Sequence, residues 1–447
     1  MPPSPMLHHH HGSLAAKSTK PMCITLIQPT TTTKKHSYSS SHDHDTLRKM
    51  ERMMNLPSPL PPSSSTTSEK VGKRWKEYQG MSNWDGLLDP LDDNLRAEIL
   101  RYGHFVEAAY KSFDFDPSSP NYANCRFPKT TLFDRCQLPN TGYKVTKHLR
   151  ATSGIQLPNW VDKAPASSWI GTQSSYVGYV AVCDNKEEIK RLGRRDVVIA
   201  LRGTTTCLEW LENLRANLTL LPCNMINGKH QENNGIGPMV ESGFLSLYTS
   251  TANSSSLMSL QEMVREEITR ILRIYEGEPL SLTVTGHSLG AALATLTAFD
   301  TRAAFPELSS VTVISFGGPR VGNRSFRTSL EKQGTKVLRI VNCEDVITKV
   351  PGFVFDEVEK SGGEVGNNGG FHVAGLPSWI QKRAEEAQWV YSEVGEELRL
   401  SSRDSPYLRG VNVATCHDLN TYLHLVDGFV SSTCPFRSTA RRFLQRR

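Results

Sequence analysis

The sequence predicts an α/β fold in which helices flank a mostly parallel central sheet. Short runs of apolar and β-branched residues recur between residues 178 and 341, and amphipathic helical patterns separate the later runs. Strands that alternate with helices pair in parallel, because each helix carries the chain back to the same end of the sheet. Of the 447 residues, 38% are hydrophobic and 21% are charged, which is sufficient for a large buried core.

The first predicted element is a helix whose apolar residues recur at spacings of three and four and therefore share one face. These residues are Leu95, Ile99, Tyr102, Val106 and Tyr110. Five short runs each have the length and composition of a buried strand. They cover residues 178–182, 196–201, 282–285, 311–315 and 336–341. Helices are expected between the later strands, at residues 264–275, 291–304 and 326–333.

Residues 1–70 are rich in Ser, Thr, Pro and His, poor in acids and without an apolar period, so we expect them to be disordered. A secretory signal needs a continuous apolar region, which is missing, whereas Ser-rich, basic extensions are typical of organelle transit peptides. We therefore predict a plastid or mitochondrial transit peptide over residues 1–70. A disordered cytosolic tail is the alternative. The folded domain is predicted over residues 75–447.

Charge and cysteine content narrow the classes of partner. Residues 1–74 contain ten Lys and Arg and four acidic residues, so this segment alone carries the whole net charge of +6. A nucleic-acid-binding body therefore has no electrostatic support. Nine cysteines without CxxC spacing indicate a reducing compartment, and we expect no metal site and no cofactor. No apolar run approaches the roughly 18 to 20 residues of a transmembrane helix, so any lipid would be met from the aqueous side.

A Gly-x-Ser-x-Gly motif at residues 286–290 predicts the nucleophile. The two glycines allow a tight turn between a strand and a helix, and the turn exposes the serine hydroxyl to an acyl carbon. Here the strand at 282–285 precedes the motif and the helix at 291–304 follows it. Ser288 is therefore the expected nucleophile of an α/β-hydrolase fold.

On this fold the catalytic acid and then the histidine follow the serine in the chain. Of fourteen histidines, His372, His417 and His424 remain candidates for the base. His417 is favoured, because a loop there leads into a short helix over the sheet edge, while His424 is expected to be structural. His372 adjoins a Gly-rich insertion, where it would be held least accurately.

The expected acid is Asp345, which follows the strand at 336–341 and could orient the imidazole from there. Asp300, on the helix after the motif, is expected to face away, and Glu344 is expected to be solvated. The oxyanion donors are predicted to be the backbone N–H of Leu289 and Thr204, which follows the strand at 196–201. A plain β-turn is the alternative interpretation of the segment around Thr204.

Three segments occur in the order found in one enzyme family: Arg-Gly-Thr-Thr at 202–205, Gly-His-Ser-Leu-Gly at 286–290 and Gly-Pro-Arg-Val-Gly at 318–322. With these motifs the chain resembles the class 3 (fungal-type) lipases. Three further stretches, at 84–92, 207–214 and 422–428, resemble the plant phospholipase A1 branch of that family. The resemblance covers nearly everything from Trp75 onward and excludes the presequence.

The resemblance implies an enzyme that removes the sn-1 acyl chain from membrane glycerolipids such as phosphatidylcholine and often galactolipids. It further implies a chloroplast location, peripheral contact with a lipid surface and, in some members, release of linolenic acid for jasmonate synthesis. In fungal-type lipases the segment after the oxyanion turn is an amphipathic lid, and residues 208–214 form a comparable apolar set, although a core-facing helix would explain them too. Glu241 stands where many fungal-type lipases have a histidine.

Two other functions remain open from the residues alone. A catalytically silent lipid-binding scaffold could use the same fold, but it would not need a triad. An enzyme acting on soluble esters, or a protease, would need the triad but not a lipid surface.

We predict that residues 1–70, fused to a fluorescent reporter, direct it to plastids, because the segment combines Ser/Thr and Lys/Arg enrichment with few acids. Fluorescence microscopy of plant cells, with the reporter alone as control, measures this. Fluorescence that stays in the cytosol would contradict the prediction and leave the segment as a disordered tail.

Overall fold

The computed structural model describes residues 71–152, 174–204, 217–226, 237–251, 258–351, 391–408 and 412–433. Its strands are β1 Tyr143–Ala151, β2 Ser175–Cys183, β3 Arg195–Leu201, β4 Leu218–Leu220, β5 Met239–Glu241, β6 Leu280–His287, β7 Ser310–Phe316, β8 Gly322–Asn323, β9 Lys336–Asn342, β10 Tyr391–Ser392 and β11 Glu396–Leu400. Its α-helices are α1 Trp75–Tyr78, α2 Asp93–Lys111, α3 Leu132–Arg135, α4 Lys186–Leu192, α5 Ser242–Thr249, α6 Leu260–Ile274, α7 Leu289–Ala304, α8 Arg324–Lys332, α9 Val413–His417 and α10 Leu419–Gly428.

A seven-stranded sheet with the order β1-β2-β3-β6-β7-β9-β11 forms the centre of the fold. From β3 to β11 every neighbouring pair is parallel, whereas β1 and β2 are antiparallel at one edge. The prediction of a mostly parallel sheet is confirmed. The five predicted strands are confirmed as parts of β2, β3, β6, β7 and β9. A second sheet, β10-β8-β5-β4, is small and antiparallel.

The two edge strands of the large sheet were not predicted. β1 mixes buried and solvent-facing residues and includes two lysines, a histidine and an arginine, and β11 alternates charged with apolar side chains. The central strands β2 and β6 are buried at every residue, because helices cover both faces of the sheet. A continuous apolar run therefore marks a central strand in the sequence, and an edge strand lacks this mark.

Helices cover the sheet on both faces, and each face has its own apolar core. α2 and α10 pack on one face, where Leu95, Ile99, Tyr102 and Val106 of the predicted stripe are buried. α5, α6 and α7 pack on the other face. The stripe ends at Tyr110, which is only partly buried and lies beside the cavity described below.

Local sequence explains where the long helices begin. Asp92 accepts hydrogen bonds from the first amides of α2, those of Asn94 and Leu95. Ser259 and Glu262 form a reciprocal capping box at the start of α6. Such caps satisfy amides that have no carbonyl partner within the helix, and each stabilises the helix by about 1 kcal/mol.

The parallel strands bring three distant segments together at the carboxyl end of the sheet. Leu201 at the end of β3 pairs with Gly286 in β6, and Phe316 at the end of β7 pairs with Ile340 near the end of β9. The residues that directly follow β3, β6 and β9 therefore lie at the same end. Functional side chains of α/β folds are placed at this carboxyl end of the strands.

Candidate active site

Ser288 occupies a sharp turn between β6 and α7. Its backbone has φ 58° and ψ −127°, a conformation that costs an L-residue about 1 to 3 kcal/mol. Neighbouring backbone leaves no room for a side chain at either flanking glycine. A Cβ on Gly286 would overlap the Gly290 carbonyl, and a Cβ on Gly290 would overlap the Leu201 carbonyl. The Ser288 N–H donates to the Phe316 carbonyl over 3.0 Å, which ties the turn to β7.

Three buried polar atoms that line one cavity of about 410 Å³ have no hydrogen-bond partner among the described residues. They are Ser288 Oγ, His417 Nε2 and Thr204 Oγ1. Most buried polar atoms in folded proteins are hydrogen-bonded, so exceptions call for an explanation. Three of them around one cavity are explained if these atoms make their bonds to a substrate.

A fully buried carboxylate, Asp345, orients the imidazole of His417. His417 Nδ1 donates to Asp345 Oδ2 over 2.7 Å, and the Tyr422 hydroxyl donates to the same oxygen over 2.6 Å. The backbone N–H of Ile347 donates to the other carboxylate oxygen over 2.9 Å. Because the Nδ1 proton lies on the carboxylate side, Nε2 of the neutral ring is left as a hydrogen-bond acceptor facing the cavity.

Burial and the nearby Asp345 raise the pKa of Tyr422 well above its usual range. The phenol therefore stays protonated and keeps donating to the carboxylate. Its oxygen also accepts a bond of 3.3 Å from the Asn342 N–H, at the end of β9. Tyr422 thus connects α10, the carboxylate and the strand that carries it.

His417 lies where α9 ends and α10 begins, and side-chain caps at the start of each helix fix the backbone there. Asn412 caps the start of α9 by accepting from the Thr415 N–H, and Asp418 caps the start of α10 by accepting from the Asn420 N–H. His417 is the last residue of α9, directly before this break. Asn342 anchors the same backbone, since its side-chain amide donates to the Cys416 carbonyl over 2.9 Å.

The turn after β3 is held by the buried side chain of Arg202. Its guanidinium lies 3.6 Å from the centre of the Phe113 ring and donates to the carbonyls of Tyr176 at 3.0 Å and Gly203 at 2.7 Å. Burial lowers the pKa of Arg202 to about 10, so it remains charged near neutral pH. These bonds fix the backbone directly before Thr204.

Thr204 and Leu289 are the residues predicted to supply the oxyanion donors. Leu289 is the first residue of α7, and amides in the first turn of a helix have no carbonyl partner within it. Aligned peptide dipoles also favour negative charge at this end of the helix. Thr204 lines the same cavity as Ser288.

The alternative site residues lie elsewhere. His424 Nε2 is 2.9 Å from Ser405 Oγ, and its ring packs on Tyr407, so it belongs to the packing of α10. Asp300 is buried on the far side of α7 and accepts from the Tyr248 hydroxyl over 2.9 Å. His372 and the apolar set at 208–214, whose lid and core-helix interpretations were both left open, lie outside the described residues.

Glu344, which was expected to be solvated, is partly exposed and also hydrogen-bonded. Its carboxylate accepts from the Ser402 N–H over 2.8 Å and from the Ser401 hydroxyl over 3.0 Å, and Arg403 Nε lies 3.2 Å away. These partners arrive from the turn after β11, a strand that was not predicted. Glu344 therefore caps a neighbouring turn.

Three residues that contact the predicted site were not singled out from the sequence: Tyr110, His287 and Tyr422. The Tyr110 hydroxyl is 2.8 Å from His287 Nδ1, and His287 Nε2 is 2.7 Å from the His417 carbonyl oxygen. Tyr110 ends an apolar helix stripe, and His287 occupies a variable position of the serine motif. The one signal in the sequence was the hydroxyl of Tyr110, which stands at the end of the helix stripe.

Comparisons with known proteins point to one family. The family model for lipase (class 3) matches residues 198–355. Phospholipase A(1) DAD1, chloroplastic, of Arabidopsis thaliana is 65% identical over 88% of this chain and 84% of its own length. Galactolipase DONGLE, chloroplastic, of the same species is 38% identical over 80% of this chain and 70% of its own length.

Among solved structures, the Lip2 lipase of Yarrowia lipolytica is similar over 59% of this chain and 76% of its own, with a TM-score of 0.38 and 17% identity. The family assignment rests on the relatives that align over most of their length, and not on this structural similarity. The chain belongs to the class 3 lipase family, in its plant phospholipase A1 branch.

Proposed function

We propose that this chain is a plastid phospholipase A1 that hydrolyses the sn-1 ester of membrane glycerolipids, with Ser288 as nucleophile, His417 as base and Asp345 as the acid that orients it. The observation that carries the proposal is the bond of 2.7 Å from His417 Nδ1 to Asp345, which leaves Nε2 directed into the cavity that Ser288 Oγ also lines. A serine hydroxyl becomes an effective nucleophile only when such a base accepts its proton.

In the first half of the reaction, Ser288 Oγ attacks the ester carbonyl carbon while its proton passes to His417 Nε2. The charge that develops on the carbonyl oxygen is stabilised by Leu289 N–H and by Thr204. His417 then returns the proton to the departing lysolipid oxygen, leaving an acyl ester on Ser288. In the second half, a water activated by His417 cleaves that ester and releases the fatty acid.

Buried Asp345 supports both halves in the same way. The imidazolium that forms on His417 is stabilised by the carboxylate on its Nδ1 side, and the carboxylate keeps the tautomer that presents Nε2 to the serine. Each preorganised oxyanion donor contributes about 3 to 4 kcal/mol of transition-state stabilisation in comparable hydrolases.

The relatives support a glycerolipid as the substrate. One is named a phospholipase A(1) and another a galactolipase, so phosphatidylcholine and galactolipids are both candidate substrates. We propose that the released chain includes linolenic acid for jasmonate synthesis, in keeping with the family resemblance. Incubation with defined phosphatidylcholine and monogalactosyldiacylglycerol, followed by identification of the fatty acid and lysolipid, tests headgroup and position together.

The proposed location is the chloroplast, where both named relatives reside according to their names. Residues 1–70 would be the transit peptide and residues 75–447 the single catalytic domain. No helix in the described part of the chain is long and apolar enough to span a membrane. We propose that the enzyme reaches its lipid by peripheral contact.

A catalytically silent scaffold and a soluble-ester hydrolase are the competing functions. Covalent labelling of Ser288 by a fluorophosphonate probe with an acyl chain argues against the scaffold. A much higher rate on micellar than on monomeric ester argues against the soluble-ester hydrolase.

We predict that Ser288→Ala keeps the fold and lowers acyl hydrolysis by several orders of magnitude, because triad members act as a unit. Fatty-acid release from phosphatidylcholine vesicles, normalised to folded protein by circular dichroism, measures the loss. Release close to the wild-type rate would rule out Ser288 as nucleophile.

We predict opposite behaviour for two histidines. His417→Ala should abolish turnover even among the molecules that remain folded, because the base is lost, and it also removes a hydrogen bond from the buried Asp345 carboxylate. His424→Ala should lower the free energy of unfolding by roughly 1 to 3 kcal/mol, because it loses buried packing and its bond to Ser405, and the surviving folded molecules should remain active. Tm and turnover per folded molecule separate the two. An inactive, fully stable His424→Ala beside an active His417→Ala would reverse the assignment of the base.

A further inference from the structure

Three consecutive hydrogen bonds connect the turn before Thr204 to the backbone of the proposed base. The Gly203 N–H lies 2.8 Å from the Tyr110 hydroxyl oxygen, and that hydroxyl lies 2.8 Å from His287 Nδ1. His287 Nε2 lies 2.7 Å from the His417 carbonyl oxygen. The chain of bonds thus runs between the two segments that the proposed mechanism needs to hold in place.

The chemistry of the end groups determines the direction of every bond. A backbone N–H can only donate, so the Tyr110 oxygen accepts from Gly203. A carbonyl oxygen can only accept, so His287 Nε2 carries the proton and donates to His417. Burial, and to a lesser extent the neighbouring His417, holds the pKa of His287 well below its usual range. The ring is therefore neutral, and its Nδ1 is an acceptor. Tyr110 therefore donates to His287.

The surroundings leave little room for these groups to shift. A Cβ on Gly203 would lie 2.6 Å from the Tyr110 hydroxyl, 2.8 Å from the His287 carbonyl oxygen and 2.8 Å from Ser288 Cβ. The rings of His287 and His417 pack at a centroid distance of 4.7 Å. Gly203 is thus pressed between the serine turn and Tyr110, and a displaced hydroxyl would let it move.

We propose that Tyr110 and His287 form a bridge that holds the Gly203–Thr204 turn and His417 at a fixed separation, so that both are positioning residues for the hydrolysis. Neither touches the reacting atoms in this role. The proposal rests on the proposed function, because it assigns these residues to the oxyanion turn and to the base.

The separation matters because the two segments act on the same tetrahedral intermediate. Oxyanion donors work at 2.7 to 3.1 Å from the developing charge, and a displacement of about 1 Å can cost roughly 100-fold in rate. The turn leaves the end of β3, whereas His417 lies between α9 and α10, far along the chain. Through the bridge the two segments share one rigid connection across Ser288.

Tyr110→Phe removes the hydroxyl and leaves the ring. We expect kcat on a short-chain p-nitrophenyl ester to fall by about 10- to 100-fold with KM changed by less than about 3-fold, because the loss affects the transition state rather than ground-state binding. A monomeric ester keeps membrane binding out of the measurement. Tyr179→Phe is the matched control, since it removes a buried hydroxyl that donates to the Phe105 carbonyl, away from the site. It should leave kcat unchanged.

An inhibitor distinguishes positioning from a general structural role. An alkyl trifluoromethyl ketone forms a tetrahedral adduct with the catalytic serine, whereas the corresponding trifluoromethyl alcohol binds without one. In Tyr110→Phe the inhibition constant for the ketone should rise about 10-fold or more, and that for the alcohol should stay within about 2-fold. A purely structural loss would lower Tm and the folded fraction without this selective effect.

Variants of His287 test the second half of the bridge. His287→Leu removes both bonds, and His287→Gln keeps an amide that can donate to the His417 carbonyl. We expect the Leu variant to lose at least as much kcat as Tyr110→Phe, and the Gln variant to recover part of that loss. Because the residues act as one unit, Tyr110→Phe combined with His287→Leu should be no slower than His287→Leu alone.

The proposal is overturned if Tyr110→Phe retains wild-type kcat per folded molecule and wild-type affinity for the ketone, or if the losses of the two single variants multiply. Failure of the proposed function would look different. In that case wild-type protein would itself neither hydrolyse the ester nor bind the ketone more tightly than the alcohol.

Discussion

The hydrogen bond between His417 and Asp345 is the interaction on which the rest of the site depends. It joins a carboxylate with no solvent exposure to a ring held at the end of a short helix, at a distance of 2.7 Å. A buried carboxylate is tolerated only when its oxygens are fully hydrogen-bonded, and Tyr422 and the Ile347 amide complete the set. Much of the polar structure on this edge of the sheet serves that requirement.

The site combines strain and unpaired groups with a rigid frame. Ser288 holds an unfavourable backbone conformation, and three polar atoms at the cavity, its own Oγ among them, lack partners among the described residues. Such local costs persist only where the surrounding structure over-determines the geometry. Here close contacts of Gly286 and Gly290, the N–H bond from Ser288 to β7 and the small-residue packing of α7 restrain the turn. The frame is therefore part of the catalytic apparatus that we propose.

The residues missed by sequence reasoning share one property. Tyr110, His287 and Tyr422 contact the site through atoms at the tips of side chains that otherwise belong to a helix face or a motif. Their partners, among them Gly203, Asn342 and the His417 carbonyl, lie at distant positions in the chain. Periodicity identifies the face on which a side chain lies, but not the backbone group that it meets. The partners of Glu344 were not predicted for the same reason, since they follow an edge strand that lacks a clear pattern.

The sequence by itself determined the parts that depend on local order: the central strands, the helices between them, the serine turn with its two glycines, and the chain order of serine, acid and histidine. These follow from apolar periodicity and from steric rules that act within a few residues. Only the tertiary structure decided that His417 rather than His424 meets Asp345, because the two histidines lie seven residues apart and the break at Asp418 sets which of them faces the end of β9. The tertiary structure likewise creates the connection from Gly203 through Tyr110 and His287 to His417. It exists only once β3, β6 and α9 are brought together at the carboxyl end of the sheet.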